Sequence, residues 1–164
     1  DISAFLESSL SMVEKELSEK KIDVQFQNAQ GIPPINIDAA MLKQAFLNIY
    51  LNAIDAMKEG GRLRIRTRLV TNGNKHILIE IEDNGYGIAE EDMPHLFNPF
   101  FTRKKYGTGL GLTQVKKFID LHHGSIEVLS RKGEGTKVAV TLPLEEDKKN
   151  SETPVNDTEG QLHG

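Results

Sequence analysis

The chain has 164 residues, of which 38% are hydrophobic and 27% are charged, so it fits one globular domain of ordinary composition. Its formal net charge of −4 argues against a general binder of nucleic acid or anionic membranes, and a polyanion would therefore need a local basic patch. The chain has no cysteine, which excludes disulfides and thiolate metal sites, and no apolar run reaches the ~20 residues that a membrane span needs.

The first part of the chain, up to residue 38, predicts a helix and a strand. Apolar residues recur at helical spacing through residues 2–20, which indicates an amphipathic helix that packs on a core. Residues 22–27 alternate between apolar and polar side chains and predict a strand. A turn-rich link over residues 31–38 leads to Asp38, which we expect to cap the next helix.

The helix predicted over residues 38–58 carries a narrow polar stripe on an otherwise apolar surface. Its apolar side comprises Leu42, Ala45, Phe46, Ile49, Ala53 and Met57. The stripe follows successive turns of one face and comprises Gln44, Asn48, Asn52 and Asp55. Asparagine is a poor helix former, so helix propensity does not explain two asparagines one turn apart. The stripe either faces water or forms the floor of a site for a polar ligand, where amide oxygens could bind Mg²⁺.

Two strands are predicted over residues 62–70 and 76–83, and the short link between them predicts antiparallel pairing. One face of the first strand carries Arg62, Arg64, Arg66 and Arg68. Four arginines are compatible with nucleic-acid binding, but the acidic net charge favours the solvated face of a sheet.

The sequence "EDNGYGI", residues 82–88, follows directly after the second of these strands. It is typical of an ordinary turn, since Asp, Asn and Gly all favour turns. Gly85 and Gly87 would also let the backbone approach a flat ligand closely, and Asp83 beside them could accept a hydrogen bond from an exocyclic amine. Adenine offers such an amine, whereas guanine presents a carbonyl oxygen at that edge.

The segment "NPFFTRKKYGTGLGLTQVKKFI", residues 98–119, joins aromatic residues, a basic run and alternating glycines to a helix predicted over about 112–123. The unpaired N–H groups at the start of that helix, with Arg103, Lys104 and Lys105 nearby, predict an anion site. We expect Phe97, Phe100 and Phe101 to anchor this loop in the core, while its glycines let the rest move. The pattern is not a Walker loop, because no Gly-Lys-Ser/Thr follows.

Two more strands, over residues 124–130 and 135–143, complete the predicted fold, joined by a turn at Gly133–Gly135. From Glu145 the chain lacks apolar periodicity, and residues 145–164 are predicted to be a disordered tail. The order of elements predicts an α+β sandwich, with one mixed and mostly antiparallel sheet covered by helices on one face.

Four motifs, in order "NIYLNAIDAM", "EDNGYGI", "NPFFTRKKYGTGLGL" and "GEGTKVAV", resemble the N, G1, F–G2 and final glycine boxes of bacterial sensor histidine kinases. The match, over about residues 1–144, looks like their catalytic ATP-binding domain, with "NPFF" closest to nitrogen-regulation and sporulation-type kinases. It implies the Bergerat fold, ATP and Mg²⁺ as ligands, and a domain that phosphorylates a histidine.

The resemblance also implies roles for residues of this chain. Asn48 and Asn52 would hold Mg²⁺, Asp83 would bind the adenine amine, and Asn48 and Lys104 would act in catalysis. The residues implied for nucleotide binding are Asn48, Asn52, Asp55, Asp83, Gly85, Gly87, Ile88, Phe97, Arg103, Lys104, Gly107, Thr108, Gly109, Leu110, Gly111, Leu112 and Thr136.

The identity of residue 48 helps to distinguish phosphotransfer from ATP hydrolysis. In the ATP-hydrolysing relatives that share this fold, a glutamate one turn before the metal asparagine activates water, and this chain has Asn48 there. The resemblance therefore favours phosphotransfer over hydrolysis. Related kinases often read "FFTTK" where this chain reads "FFTRK", which leaves open whether Arg103 or Lys104 contacts the γ-phosphate.

None of the five histidines lies in a phosphoacceptor motif, and we expect His122 and His123 to cap a helix. The implied partners are the dimerisation domain that carries the phosphoacceptor histidine and a downstream response regulator, with no nucleic acid. We expect a cytoplasmic, monomeric fragment, with any membrane anchor elsewhere in a longer protein. An anti-sigma-type serine kinase and a non-catalytic nucleotide-binding scaffold of the same fold are the alternatives.

Overall fold

The structure, a computed structural model, describes residues 1–144, and the predicted tail over 145–164 lies outside the described residues. The helices described are α1 (Ile2–Leu10), α2 (Glu14–Glu19), α3 (Ala39–Ala56) and α4 (Gly111–Leu121). The strands are β1 (Asp23–Gln27), β2 (Arg62–Val70), β3 (His76–Asp83), β4 (Ser125–Arg131) and β5 (Gly135–Pro143). Single 3₁₀ turns occupy Ser11–Val13 and Met93–His95.

The strands form one sheet in the order β1-β2-β3-β5-β4. β1 pairs with β2 in parallel, and the other neighbours are antiparallel. Inward-facing residues such as Leu63, Ile65 and Ile79 are fully buried and share one core with Phe46 and Ile49 of α3. The predicted fold class, a mixed and mostly antiparallel sheet covered by helices on one face, is confirmed.

The first predicted helix, over residues 2–20, is interrupted, so the prediction of one continuous helix was wrong. α1 ends at Leu10, and a 3₁₀ turn separates it from α2. Serine hydroxyls explain the break, since Ser9 Oγ donates to the Leu6 carbonyl at 2.8 Å and Ser11 Oγ donates to the Ser8 carbonyl at 2.7 Å. These contacts compete with the helical pattern and tighten the chain locally.

α3 is the central helix, and its predicted apolar side is buried from Leu42 to Met57. Asp38 caps it as predicted, because its Oδ1 accepts the Met41 N–H at 3.0 Å. Tyr50 is fully buried, burial raises the pKa of its phenol to about 12, and its hydroxyl lies 3.3 Å from Ser9 Oγ. At the other end, Lys20 Nζ donates to the carbonyls of Ile54 and Met57, which satisfies the end of the helix.

The outer face of the sheet carries the four arginines of β2, and the glutamates of β3 pair with them. Arg68 donates to Glu80 at 2.6 Å, and Arg66 donates to Glu82 at 3.1 Å. Arg64 also reaches Glu82, at 3.4 Å. The arginines of β2 are therefore largely matched by opposite charge across the antiparallel pair, although this face is not uniformly solvated, since Glu80 is only 5% exposed.

α4 runs beside the first half of α3, and His122 joins the two helices. The Asp38 N–H donates to His122 Nε2 at 2.9 Å, so the ring proton lies on Nδ1, which donates to the Phe118 carbonyl at 2.7 Å. His123 takes the left-handed conformation that ends the helix, with φ +55°. The expected structural role of this histidine pair is confirmed. The second half of α3 is left to face the loops that follow β3.

Candidate functional site

The polar stripe of α3 contacts the segment that leads into α4, which we call the lid segment and define as residues 97–110. Asn48 Nδ2 donates to Gln114 Oε1 at 3.3 Å and more weakly to the Gly111 carbonyl at 3.5 Å. One turn further on, Lys104 Nζ of the lid segment donates to Asn52 Oδ1 at 2.9 Å. The stripe thus faces other parts of the chain rather than open solvent alone.

Asp55 completes this contact, because the same Lys104 ammonium lies 2.7 Å from Asp55 Oδ2. The oxygens of Asn52 and Asp55 therefore converge on one positive charge. Asn48 uses its amide nitrogen toward α4, so its carbonyl oxygen is the side-chain atom left to accept a cation. Oxygen donors of this kind suit a hard divalent ion.

Within residues 1–144, no three histidine or acidic side chains come together to form a metal site by themselves. A cation at the stripe would consequently depend on amide oxygens, on Asp55 and on oxygens brought by a ligand. That donor set fits a metal ion that arrives with phosphate groups, because Mg²⁺ is usually held by few protein ligands together with substrate phosphates.

Asp83, at the end of β3, lies at the other end of the site and is only 7% exposed. Its Oδ1 accepts the Gly85 N–H at 2.8 Å, and the Thr136 backbone also donates to this carboxylate. Burial raises the pKa of the Asp83 carboxyl, and these two hydrogen bonds oppose that shift. The carboxylate is thus held in place before any ligand binds.

The loop after Asp83 packs directly on the C-terminal end of α3. The Tyr86 N–H donates to the Ala56 carbonyl at 3.0 Å, and a Cβ on Gly85 would collide with that same carbonyl. Gly87 has φ +70°, and a Cβ there would collide with the Arg131 carbonyl. Both predicted glycines are therefore required by the backbone contacts, whatever they do for a ligand.

Ser130, which sequence reasoning did not single out, connects this loop with the hairpin of β4 and β5. Its hydroxyl accepts the Ile88 N–H at 2.8 Å, donates to the Gly135 carbonyl at 2.9 Å and lies 2.8 Å from Thr136 Oγ1. Ser130 is opposite Thr136 in the strand register. The pairing of the two predicted strands around the Gly133–Gly135 turn was the signal that could have found it.

The lid segment folds back on itself near its middle. The Phe100 N–H donates to the Gly109 carbonyl at 2.9 Å, and both residues have positive φ, +66° and +71°. This left-handed turn leaves the Phe100 side chain 75% exposed, so the expectation that Phe100 anchors the loop in the core was wrong. Phe97 and Phe101 are half-buried, and the Phe97 carbonyl accepts the Thr113 hydroxyl at 3.3 Å.

The two predicted phosphate-binding cations point to different partners. Arg103 makes a fork-like contact with the buried Asp92, at 2.7 Å for the shortest of three hydrogen bonds, and lies over the Phe101 ring. The Arg103 guanidinium holds the pKa of the Asp92 carboxyl below its usual range. Lys104 alone of the two contacts the polar stripe.

The remaining predicted residues lie at the junction of the lid segment with α4. Thr108 Oγ1 accepts the Leu110 N–H at 3.4 Å, and Gly107 lies against the Thr102 side chain. Leu110 occupies the N-cap position of α4 and supplies no side-chain hydrogen bond to the first turn, which begins with Gly111 and Leu112. A helix start without a capping side chain suits an anion.

Residues 37–146 match the family model described as histidine kinase-, DNA gyrase B-, and HSP90-like ATPase. The chain belongs to this ATPase family. Among curated relatives, sporulation kinase E of Bacillus subtilis is 33% identical over 95% of this chain, and the sensor histidine kinase ZraS of Escherichia coli is 33% identical over 88%. The Escherichia coli kinase AtoS is 36% identical over 87% of the chain. The chain spans only 20%, 30% and 23% of these three proteins, so they contain other domains.

Solved structures of this ATPase family agree with the fold. The catalytic domain of the histidine kinase ThkA is 28% identical and aligns with a TM-score of 0.77, over 88% of this chain and 93% of that one. The mycobacterial sensor histidine kinase MprB is also 28% identical, with a TM-score of 0.75 over 88% and 95% of the two chains. The resemblance drawn from the four motifs is confirmed.

ATP is accordingly the ligand that the family implies for this domain. The roles of individual residues stay predictions. The helices of residues 1–144 include none with the length and apolar character needed to cross a membrane.

Proposed function

We propose that this chain is the catalytic ATP-binding domain of a two-component sensor histidine kinase, and that it donates the γ-phosphoryl group to a histidine on another domain. One observation carries the proposal. Along α3, Asn48 contacts the start of α4, Asn52 contacts the lid segment and Ala56 contacts the Asp83 loop. From Asn48 to Ala56 the helix rises about 12 Å, so one face aligns three elements that are remote in sequence.

In this proposal the end near Asp83 binds adenine. The buried carboxylate accepts the exocyclic amine, and the Gly85–Gly87 backbone lies against the flat ring. Ile88 and Thr136 flank the same end, since the Ile88 N–H and Thr136 Oγ1 both contact Ser130. Among the described residues, the hydrogen bonds that join Asp83, Ile88, Ser130 and Thr136 at this end include no residue of the lid segment.

The other end binds the triphosphate. The ammonium of Lys104 already rests between Asn52 and Asp55, which supports these oxygens as the place where a cation is accepted. Asn48 and Asn52 would hold Mg²⁺, which when bound neutralises phosphate charge. Lys104 is better placed than Arg103 to contact the γ-phosphate, because Arg103 is engaged by Asp92.

The reaction that fits these residues is transfer to an external acceptor. An amide cannot remove a proton from water, and Asn48 stands where hydrolytic relatives have a glutamate. Asn48 is also held by Gln114 through its amide nitrogen. The residues present therefore bind, align and neutralise charge, and the acceptor histidine comes from a dimerisation domain.

The test is phosphotransfer. The chain is mixed with radiolabelled ATP, Mg²⁺ and a separately purified dimerisation domain that carries a phosphoacceptor histidine from a relative such as sporulation kinase E. We expect labelled phosphate that is stable in base and lost in acid, as phosphohistidine is. Acid-stable label on a protein serine would favour the anti-sigma-type alternative. ATP binding without any transfer to several such domains would favour a scaffold. We propose that a response regulator then receives the phosphoryl group and that these steps occur in the cytoplasm.

A second experiment tests the metal. Calorimetric titration with ATP should give tight binding with Mg²⁺ and weaker binding with EDTA. Asn52→Ala should lose most of the Mg²⁺-dependent part, whereas Gln44→Ala is a matched control, since Gln44 belongs to the same stripe but is exposed two turns earlier. Equal losses in both variants would contradict the assignment of Asn52.

A further inference from the structure

We propose that Ser130 is a specificity-determining positioning residue. It fixes the Thr136 hydroxyl as a hydrogen-bond acceptor. The base-binding end therefore selects adenine over bases that carry a carbonyl oxygen at the same edge. The inference rests on the proposed function. It concerns a residue of β4 that touches neither the lid segment nor the stripe of α3 in the described contacts.

Counting protons on Ser130 Oγ gives the direction of each hydrogen bond. The hydroxyl has one proton and two lone pairs. The Gly135 carbonyl, 2.9 Å away, can only accept, so it takes the proton. The Ile88 N–H, 2.8 Å away, can only donate, so it uses one lone pair. The remaining contact, 2.8 Å to Thr136 Oγ1, therefore requires Thr136 to donate into the second lone pair.

The Thr136 hydroxyl proton is thereby committed to Ser130, and the oxygen can offer only lone pairs to a ligand. Thr136 is opposite Asp83 in the register of β3 and β5. The carboxylate of Asp83 is an acceptor as well, so both side chains at this end accept hydrogen bonds. An exocyclic amine, or a water molecule that itself accepts from the amine, is satisfied there. The carbonyl oxygen of hypoxanthine or guanine would face acceptors and be repelled.

Ser130 also holds the shape of this end. Its bond to the Ile88 N–H fastens the end of the glycine loop to β4, and the Gly133 N–H donates to the Tyr86 carbonyl at 2.6 Å close by. A purely structural role would therefore affect all nucleotides alike. A role through Thr136 changes the preference between them, and this difference makes the proposal testable.

The experiment measures dissociation constants of ATP and inosine triphosphate, with Mg²⁺, for the whole chain. Inosine triphosphate differs from ATP at the exocyclic position, where it has a carbonyl. Ser130→Ala frees the Thr136 hydroxyl to donate, so the preference for ATP should fall about fivefold to tenfold. Ser125→Ala, on the exposed opposite end of the same strand, is the matched control and should keep the wild-type ratio.

Thr136→Val supplies the second arm. If Ser130 acts through Thr136, adding Ser130→Ala to Thr136→Val should leave the ratio of the two nucleotides unchanged from that of Thr136→Val alone. Should Ser130→Ala not fold, Ser130→Cys keeps a similar shape with weak hydrogen bonding and should lower the ratio in the same direction.

The outcomes distinguish a failure of the proposed function from a failure of the role assigned to Ser130. A wild-type chain that binds no ATP would overturn the proposed function itself. A wild-type chain that selects ATP, with Ser130→Ala weakening both nucleotides equally, would leave the proposed function and overturn the role of Ser130. Independent, additive effects of Ser130→Ala and Thr136→Val on the ratio would overturn it too.

Discussion

The adenine end and the phosphate end of the proposed site differ in how their backbone is held. Around Asp83 the backbone of three segments is in close contact, and side chains are excluded at Gly85, Gly87 and Gly135. Around Lys104 the lid segment reaches α3 through an exposed side chain, and its own close backbone contact, between Gly109 and Phe100, lies within the segment. Phe100 and Tyr106 point into solvent.

This contrast indicates that the two ends of the proposed site differ in rigidity. In the proposed function, the end that would distinguish one base from another is formed by main-chain packing, which cannot adjust without cost. The end that would meet the triphosphate is held by polar contacts that a charged ligand could replace. Segments of the second kind, with few buried contacts, are the ones that open locally.

The largest effect is expected where the adenine end is most crowded. Gly135 has φ +101°, and a Cβ there would collide with the Asp83 carbonyl. Gly135→Ala should destabilise the fold by about 3 kcal/mol and abolish ATP binding, because both the backbone conformation and the packing are violated. Urea denaturation measures the stability.

Gly133→Ala is the matched control for Gly135→Ala. Gly133 lies in the same hairpin turn with φ +85°, but nothing lies within 4 Å of a Cβ there. Only the conformational cost of about 1 kcal/mol should appear. Similar losses in the two variants would mean that the adenine end is not packed as tightly as described.

The next effect separates binding from stability at Asp83. Asp83→Asn replaces one carboxylate oxygen with an NH2 group. Because the Gly85 N–H holds the remaining oxygen, the adenine amine would meet a donor, and ATP binding should weaken about 100-fold by calorimetry. Glu82→Gln, the neighbour that faces Arg64 and Arg66 on the outer side of the sheet, should leave ATP affinity unchanged. Equal affinity of Asp83→Asn and wild type would remove the adenine assignment.

The pH dependence of stability should also differ between the wild type and Asp83→Asn. Burial raises the pKa of the Asp83 carboxyl above its usual 3.8, so the folded chain holds this proton more tightly than the unfolded chain. The stabilising effect of that proton is complete below the unfolded pKa and is lost as pH rises through the folded pKa. Asp83→Asn should abolish this loss. The free energy of unfolding of the variant, measured by urea denaturation, should therefore rise relative to that of the wild type as pH increases from acidic to neutral.

Much of the local geometry around Asp83 could be predicted from sequence, because its parts lie close together in the chain. An Asp at a strand end followed by alternating glycines predicts both the turn and the close approach of the backbone. Asp38 before a helical apolar repeat predicts the start of a helix. Periodicity likewise gave the buried side of α3. Such signals lie within a few residues of each other, where turn and helix geometry constrain the chain strongly.

The rest depended on contacts between remote parts of the chain. Arg103 and Lys104 are adjacent in an irregular loop, and their different partners follow from where Asp92 and α3 lie. The exposure of Phe100 depends on a positive φ that a phenylalanine rarely adopts. The hairpin of β4 and β5 places Ser130 opposite Thr136, but its contact with Ile88, 42 residues away in the chain, could not be read from the sequence.

A smaller loss of ATP affinity is expected for substitutions at the phosphate end than for Asp83→Asn. Lys104→Met should lower affinity for ATP about tenfold, with a smaller loss for ADP, because a charge-assisted contact to the terminal phosphate is removed. Stability should hardly change, since the pair with Asp55 is exposed on both sides. Lys105→Met is the control, as that side chain lies over the Tyr106 ring instead. An equal loss with ATP and ADP would argue against contact with the γ-phosphate.

The smallest effect on affinity is expected at Arg103. Because its guanidinium is bound to Asp92 in a fork and stacked over Phe101, Arg103→Met should change the dissociation constant of ATP by no more than about twofold. What should change is the lid segment itself: amide hydrogen exchange of residues 97–103 should become faster, as it should in Asp92→Asn, which removes the other half of the same pair. A loss of ATP affinity as large as that of Lys104→Met, without faster exchange, would instead make Arg103 the phosphate ligand and leave Lys104 as the residue that holds the lid segment to α3.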